Sequence, residues 1–134
     1  MSSSAKITPF LMFIGKAEAA MTFYTSLFSG SEILDITHYG AGEMGAEGSV
    51  KLARMKLANQ EVICIDSPPV HDFDFTPSFS LFVELESEAE IDRVYAALSE
   101  GGKDLMPLGE YPFATKYAWL NDRFGVSWQL SYKA

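Results

Sequence analysis

Apolar residues recur at i, i+3, i+4 and i+7 in two stretches of this chain: Ala20, Phe23, Tyr24, Leu27 and Phe28 in one, Ile91, Val94, Tyr95 and Leu98 in the other. That period places side chains on one face of a helix, so two amphipathic helices are predicted within Lys16–Gly30 and Ser87–Gly101. A shift of 71 residues lays one stretch over the other, with Tyr24 on Tyr95, Leu27 on Leu98 and Gly30 on Gly101. The helices are therefore read as equivalent parts of an internal repeat. The second opens with Ser87-x-x-Glu90, a capping-box pattern, and both close on a glycine suited to a left-handed turn.

Around each helix the period changes to two. Ile7–Phe13 and Ser78–Leu85 precede the helices as strands rich in β-branched and aromatic residues. Glu32–Tyr39, Ser49–Leu57 and Glu61–Asp66 follow the first helix; Asp104–Leu108, Lys116–Leu120 and Val126–Tyr132 follow the second. In the last strand Val126, Trp128 and Leu130 alternate with Ser127, Gln129 and Ser131. One face should then pack on a helix while the other faces a cavity or water. By the same parity Leu81 and Val83 oppose Ser80, Phe82 and Glu84, and Ile63 and Ile65 oppose Cys64 and Asp66. The expected architecture is α+β, two βαβββ modules over about 6–66 and 77–132, with helices outside and sheets curved around a central cavity. The proline-bearing segment 67–76 (SPPVHDFDFT) reads as the connector. At 134 residues and 48% hydrophobic composition, one domain over 1–134 is expected.

Charge and cysteine content exclude several classes. A formal charge of −8, with ten basic residues among eighteen acidic ones, does not supply the basic surface that nucleic acid or anionic membrane requires. The N-terminal stretch from Met1 shows no signal peptide, and no run approaches the roughly 18–20 apolar residues of a spanning helix. A single cysteine, Cys64, makes neither an internal disulfide nor a multi-thiolate zinc site. A cytoplasmic protein is expected.

The segments ITPFLMF, AEAAMTFYTSLF and DRFGVSWQL resemble the vicinal oxygen chelate superfamily, which includes glyoxalase I, extradiol dioxygenases and the fosfomycin- and bleomycin-resistance proteins. Within it they resemble the PhnB-like group, often labelled 3-demethylubiquinone-9 3-methyltransferase. For metal-dependent members the resemblance implies four ligand positions, in the first and last strand of each module. Counting back equally from Tyr24 and Tyr95 gives Pro9 and Ser80, and the terminal-strand pattern gives Cys64 and Gln129. Proline offers no donor atom and serine is a poor divalent ligand, so no metal and no cofactor are expected. Small superfamily members also imply a homodimer.

Other motifs have plain readings. Gly40-Ala41-Gly42-Glu43-Met44-Gly45 matches G-x-G-x-x-G, but a strand rather than a helix should follow, and Glu43 and Glu47 would repel a pyrophosphate; it reads as a hairpin loop. Nothing resembles the strand–glycine loop–helix of an S-adenosylmethionine site. Cys64 with His38 or His71 is a conceivable nucleophile–base pair, weighed against a buried small side chain. Phe73, Phe75, Tyr111, Phe113, Tyr117 and Trp119 are candidate walls of a ligand site, and equally candidates for core or interface. The leading reading is binding of a small organic molecule, extending to metal-independent turnover, with Pro9, Cys64, Asp66, Ser80, Glu84 and Gln129 around the pocket. Two alternatives stand beside it: a metal-dependent glyoxalase- or dioxygenase-type enzyme using His71 and Glu84, and a drug-sequestering protein.

Overall fold

Alternating short apolar strands and two amphipathic helices can bury their apolar faces only by packing helix on sheet, and the chain does this twice. The computed structural model describes residues 5–134; the first four residues of the N-terminal stretch read as showing no signal peptide lie outside them. In order come β1 (Phe10–Phe13), α1 (Ala17–Leu27), β2 (Glu32–His38), β3 (Val50–Leu57), β4 (Gln60–Asp66), β5 (Leu81–Leu85), α2 (Glu88–Ser99), β6 (Lys103–Tyr111), β7 (Ala114–Asn121) and β8 (Ser127–Tyr132). Two compact units result, one ending at His71 and the other beginning at Asp72, a division inside the expected connector.

In the first unit the sheet order is β1-β4-β3-β2, in the second β5-β8-β7-β6. Each has one parallel pair, β1 with β4 or β5 with β8, and is otherwise antiparallel. This is the expected α+β arrangement of two βαβββ modules. Helix α1 buries Ala17, Ala20, Met21, Tyr24 and Leu27, and the sheet beneath it buries Leu11, Phe13, Ala53, Met55 and Val62. In the second unit Ile91, Val94 and Leu98 cover Leu85, Ala118, Leu120, Trp128 and Leu130. No helix is long and apolar enough to cross a membrane among the described residues.

Strand limits differ from the sequence expectation where proline intervenes. β1 starts at Phe10 rather than Ile7, because Pro9 has no N–H to add to the ladder, although its carbonyl still accepts from Ile63 N at 2.9 Å. β5 starts at Leu81 rather than Ser78, after a turn in which Phe79 N donates to Thr76 O. β6 is longer than expected and runs through Pro107, which an edge strand with register shifts tolerates. The two glycines after the helices take left-handed conformations, φ 75° at Gly30 and 73° at Gly101.

The glycine-rich segment 40–48 joins β2 to β3, with Tyr39 N donating to Ser49 O at 2.8 Å and Gly48 N to Tyr39 O at 2.9 Å. Glu43 folds back to accept from Gly40 N and from Lys51 Nζ. The loop's own carboxylate thus occupies the amide a phosphate would need. The residues of this loop do not fit a nucleotide phosphate.

Candidate functional site

Sheet parity divides the sequence-selected residues between two faces. In β4, Val62, Cys64 and Asp66 are buried, while Ile63 and Ile65 lie half-buried on the face away from α1. Cys64 and Asp66 therefore belong to the helix-covered core of the first unit and not to a ligand-facing surface. Burial, with the Asp66 charge nearby, pushes the Cys64 thiol up to about 12. Asp66 is a structural anchor: Oδ1 accepts from Ala17 N at 2.9 Å and Oδ2 from Val50 N at 2.8 Å. It caps α1, whose own N-cap position, Lys16, makes no side-chain cap.

The count from the helix that selects Pro9 fails at the turn before each helix. The helices match at a shift of 71, yet the last buried residues of the strands before them, Phe13 and Leu85, match at 72. The β1–α1 turn carries one residue more, with Gly15 at φ 74°. Inserting one residue reverses strand parity relative to a count made from the helix. The position equivalent to Ser80 is then Thr8, not Pro9. Pairing agrees: Ile63 lies opposite Phe10 as Gln129 lies opposite Phe82, whereas Cys64 lies opposite Leu11 as Leu130 lies opposite Val83.

The second unit keeps its predicted parity. Trp128 and Leu130 are buried under α2, 1% and 0% exposed, and Gln129 is half-buried on the opposite face. That far face carries two hydrogen-bonded polar groups. Ser80 Oγ and Ser127 Oγ are 2.9 Å apart, and Trp119 Nε1 donates to Ser127 Oγ at 2.9 Å. Tyr117 Oη donates to Gln129 Oε1 at 2.5 Å. The Tyr117 ring meets Phe113 and Tyr111 edge-on, with centroids 4.8 and 5.6 Å away, and Phe113 stacks on Tyr111 at 5.8 Å. Glu84 is exposed in β5, across from Ser131 in the β5–β8 pairing. Burial and then the neighbouring Tyr111 hold the Tyr117 phenol above its ordinary value, so it is a proton donor at neutral pH. Asn121 Oδ1, at the end of β7, is buried with no hydrogen-bond partner among the described residues.

For a metal, the matched positions hold Thr8 and Ile63 in the first unit and Ser80 and Gln129 in the second. This donor set does not fit a catalytic divalent ion, which takes three or more carboxylate, imidazole or thiolate ligands. Among the described residues no group of three or more His, Cys, Asp or Glu is placed to hold one. His71 and Glu84 are both exposed. His38 is exposed and lies 2.7 Å from Glu18 Oε1, far in character from a base for a buried thiol.

Parity reasoning on β8 reaches Gln129, Ser127 and Ser80. It misses the hydrogen bonds of Tyr117 and Trp119, although both appear among the candidate aromatics. It also misses Asp66 and Asp122 as buried acceptors, since nothing in an isolated carboxylate reveals which distant amides it will meet.

A family model described as 3-demethylubiquinone-9 3-methyltransferase matches residues 5–131. Among solved structures, the PhnB protein from Bacillus cereus is 55% identical, with 96% of this chain and 99% of that one covered and a TM-score of 0.93. The protein PA1353 from Pseudomonas aeruginosa is 27% identical over 97% and 98% of the two chains, with a TM-score of 0.84. A glyoxylase/bleomycin resistance protein/dioxygenase domain from Frankia sp. shares the fold at 13% identity and a TM-score of 0.67, covering 98% of this chain and 94% of its own. No curated protein matches the chain.

Proposed function

The chain belongs to the 3-demethylubiquinone-9 3-methyltransferase (PhnB-like) family, of vicinal oxygen chelate fold, and on that premise we propose that it binds a small, uncharged organic molecule without a metal. The observation that carries this reading is the far face of the second sheet. There Gln129, Ser127 and Ser80 lie beside the Tyr111–Phe113–Tyr117 cluster and Trp119, a mainly apolar surface with a few placed polar groups, as ligand sites are built. The neighbouring Glu84 and the net charge of −8 disfavour an anion. Turnover, where it occurs, proceeds without metal and without a cysteine nucleophile, because Cys64 is sealed in the core. Both modules belong to one functional domain, the protein works as a homodimer, and a lone free thiol suits the cytoplasm.

The test is Gln129→Leu. It should lower stability by only about 1–3 kcal/mol, the cost of stranding the buried Tyr117 phenol, since the side chain itself is half-buried and away from the helix core. Affinity for any small molecule found by ligand screening should fall by about 1–3 kcal/mol through one lost hydrogen bond in a buried site. Unchanged affinity would remove the far face from consideration.

A further inference from the structure

Resting on that reading, the geometry points to Tyr117 as a positioning residue that fixes the polarity of the Gln129 amide and thereby selects a ligand bearing a hydrogen-bond acceptor, a neutral carbonyl compound with an aromatic or apolar body. A glutamine alone is indifferent, because rotating its terminal amide exchanges an acceptor for two donors. Tyr117 removes the indifference. Its side chain is 4% exposed, and among the described residues Gln129 is its only hydrogen-bond partner. A buried phenolic proton without an acceptor would carry the full desolvation penalty, so the proton goes to Gln129 Oε1.

With Oε1 engaged, the two Nε2 protons of Gln129 make no hydrogen bond within the described residues and are left for a ligand. The surroundings reinforce this polarity. Across the β7–β8 ladder Trp119 pairs with Gln129, but its own N–H is committed to Ser127 Oγ. Across the β5–β8 ladder Gln129 faces Phe82, which is exposed and offers only a ring. The site therefore presents donors from the amide above an aromatic surface formed by Tyr117 and Phe113. A carbonyl oxygen completes it; an amine or hydroxyl used only as donor does not.

The experiment uses acetophenone, an aromatic ketone, and aniline, an aromatic donor of similar size, titrated into the ¹⁵N-labelled full chain. The Gln129 side-chain amide and the Trp119 indole signals report the site, and the Trp128 indole signal reports the core. In the parent protein acetophenone should shift the Gln129 amide and bind about two- to tenfold more tightly than aniline, the range one neutral hydrogen bond supplies. In Tyr117→Phe the ring remains but the amide is free to turn, so the preference should shrink towards unity, chiefly because aniline gains. Gln129→Glu, which presents only acceptor oxygens, should invert the preference. If Tyr117→Phe weakens both probes equally and leaves the ratio intact, Tyr117 is a packing residue and this inference is wrong. If neither probe moves the Gln129 or Trp119 signals of the parent, the binding surface itself is misassigned, and the function proposed above falls with it.

Discussion

Two buried aspartates show how single residues join distant parts of this chain. Asp66 accepts amides from the first turn of α1 and from the start of β3, 49 and 16 residues away in sequence. Asp66→Ala would strand both buried N–H groups, and a loss of about 2–4 kcal/mol is expected in chemical denaturation. Asp122 plays the matching part in the β7–β8 turn, where Oδ1 accepts from Phe124 N and Val126 N and Oδ2 from Trp128 Nε1. Cys64 gives a prediction of opposite sign. With its thiol pushed up to about 12, almost no thiolate exists at pH 8, so iodoacetamide should leave the native protein unlabelled and label it fully in denaturant. Rapid labelling of the native protein would mean that the helix-covered face of β4 opens readily.

At the scale of elements, the two helices are started differently. In α2 the Ser87 hydroxyl accepts from Glu90 N at 3.1 Å, while Glu90 Oε1 accepts from Glu86 N at 3.0 Å. The reciprocal bond thus reaches one residue further back than in a standard capping box. Ser87→Ala should cost about 1 kcal/mol, measurable as a lower denaturation midpoint with an unchanged slope. The terminal strand β8 separates stability from binding by parity. Trp128 fills the core under α2 and is tied to Asp122, so Trp128→Ala should lose roughly 3–5 kcal/mol through the cavity left behind. A harmless Trp128→Ala would show that the strand presents its other face to the helix. Gly45 makes a similar point in the β2–β3 loop, since a Cβ there would collide with the Tyr39 ring.

For the whole molecule, the consequence of two open four-stranded sheets is unpaired edges: β1 and β2 in one unit, β5 and β6 in the other. Exposed strand edges invite pairing, and large apolar side chains such as Phe10, Phe82 and Phe113 are more than half exposed. A dimer is therefore expected in light scattering at micromolar concentration. A monomer under those conditions would require another device to protect the edges.

Periodicity along the chain was enough to determine two helices, eight strands and their βαβββ order, because helix and strand faces repeat locally every 3.6 and 2 residues. It was also enough to orient Gln129, since Trp128 and Leu130 on either side are apolar enough to define the buried face of β8. It could not orient Cys64 and Asp66. Every residue from Val62 to Ile65 is apolar or small, so both faces of β4 look alike, and only pairing with Leu11 and Phe13 under α1 decides which is buried. The extra residue beside Gly15 likewise leaves no periodic trace, yet it moves the equivalent of Ser80 from Pro9 to Thr8. Hydrogen bonds such as those from Tyr117 to Gln129 and from Ala17 to Asp66 belong to tertiary structure alone, because partners 12 and 49 residues apart become neighbours only when the strands between them have paired.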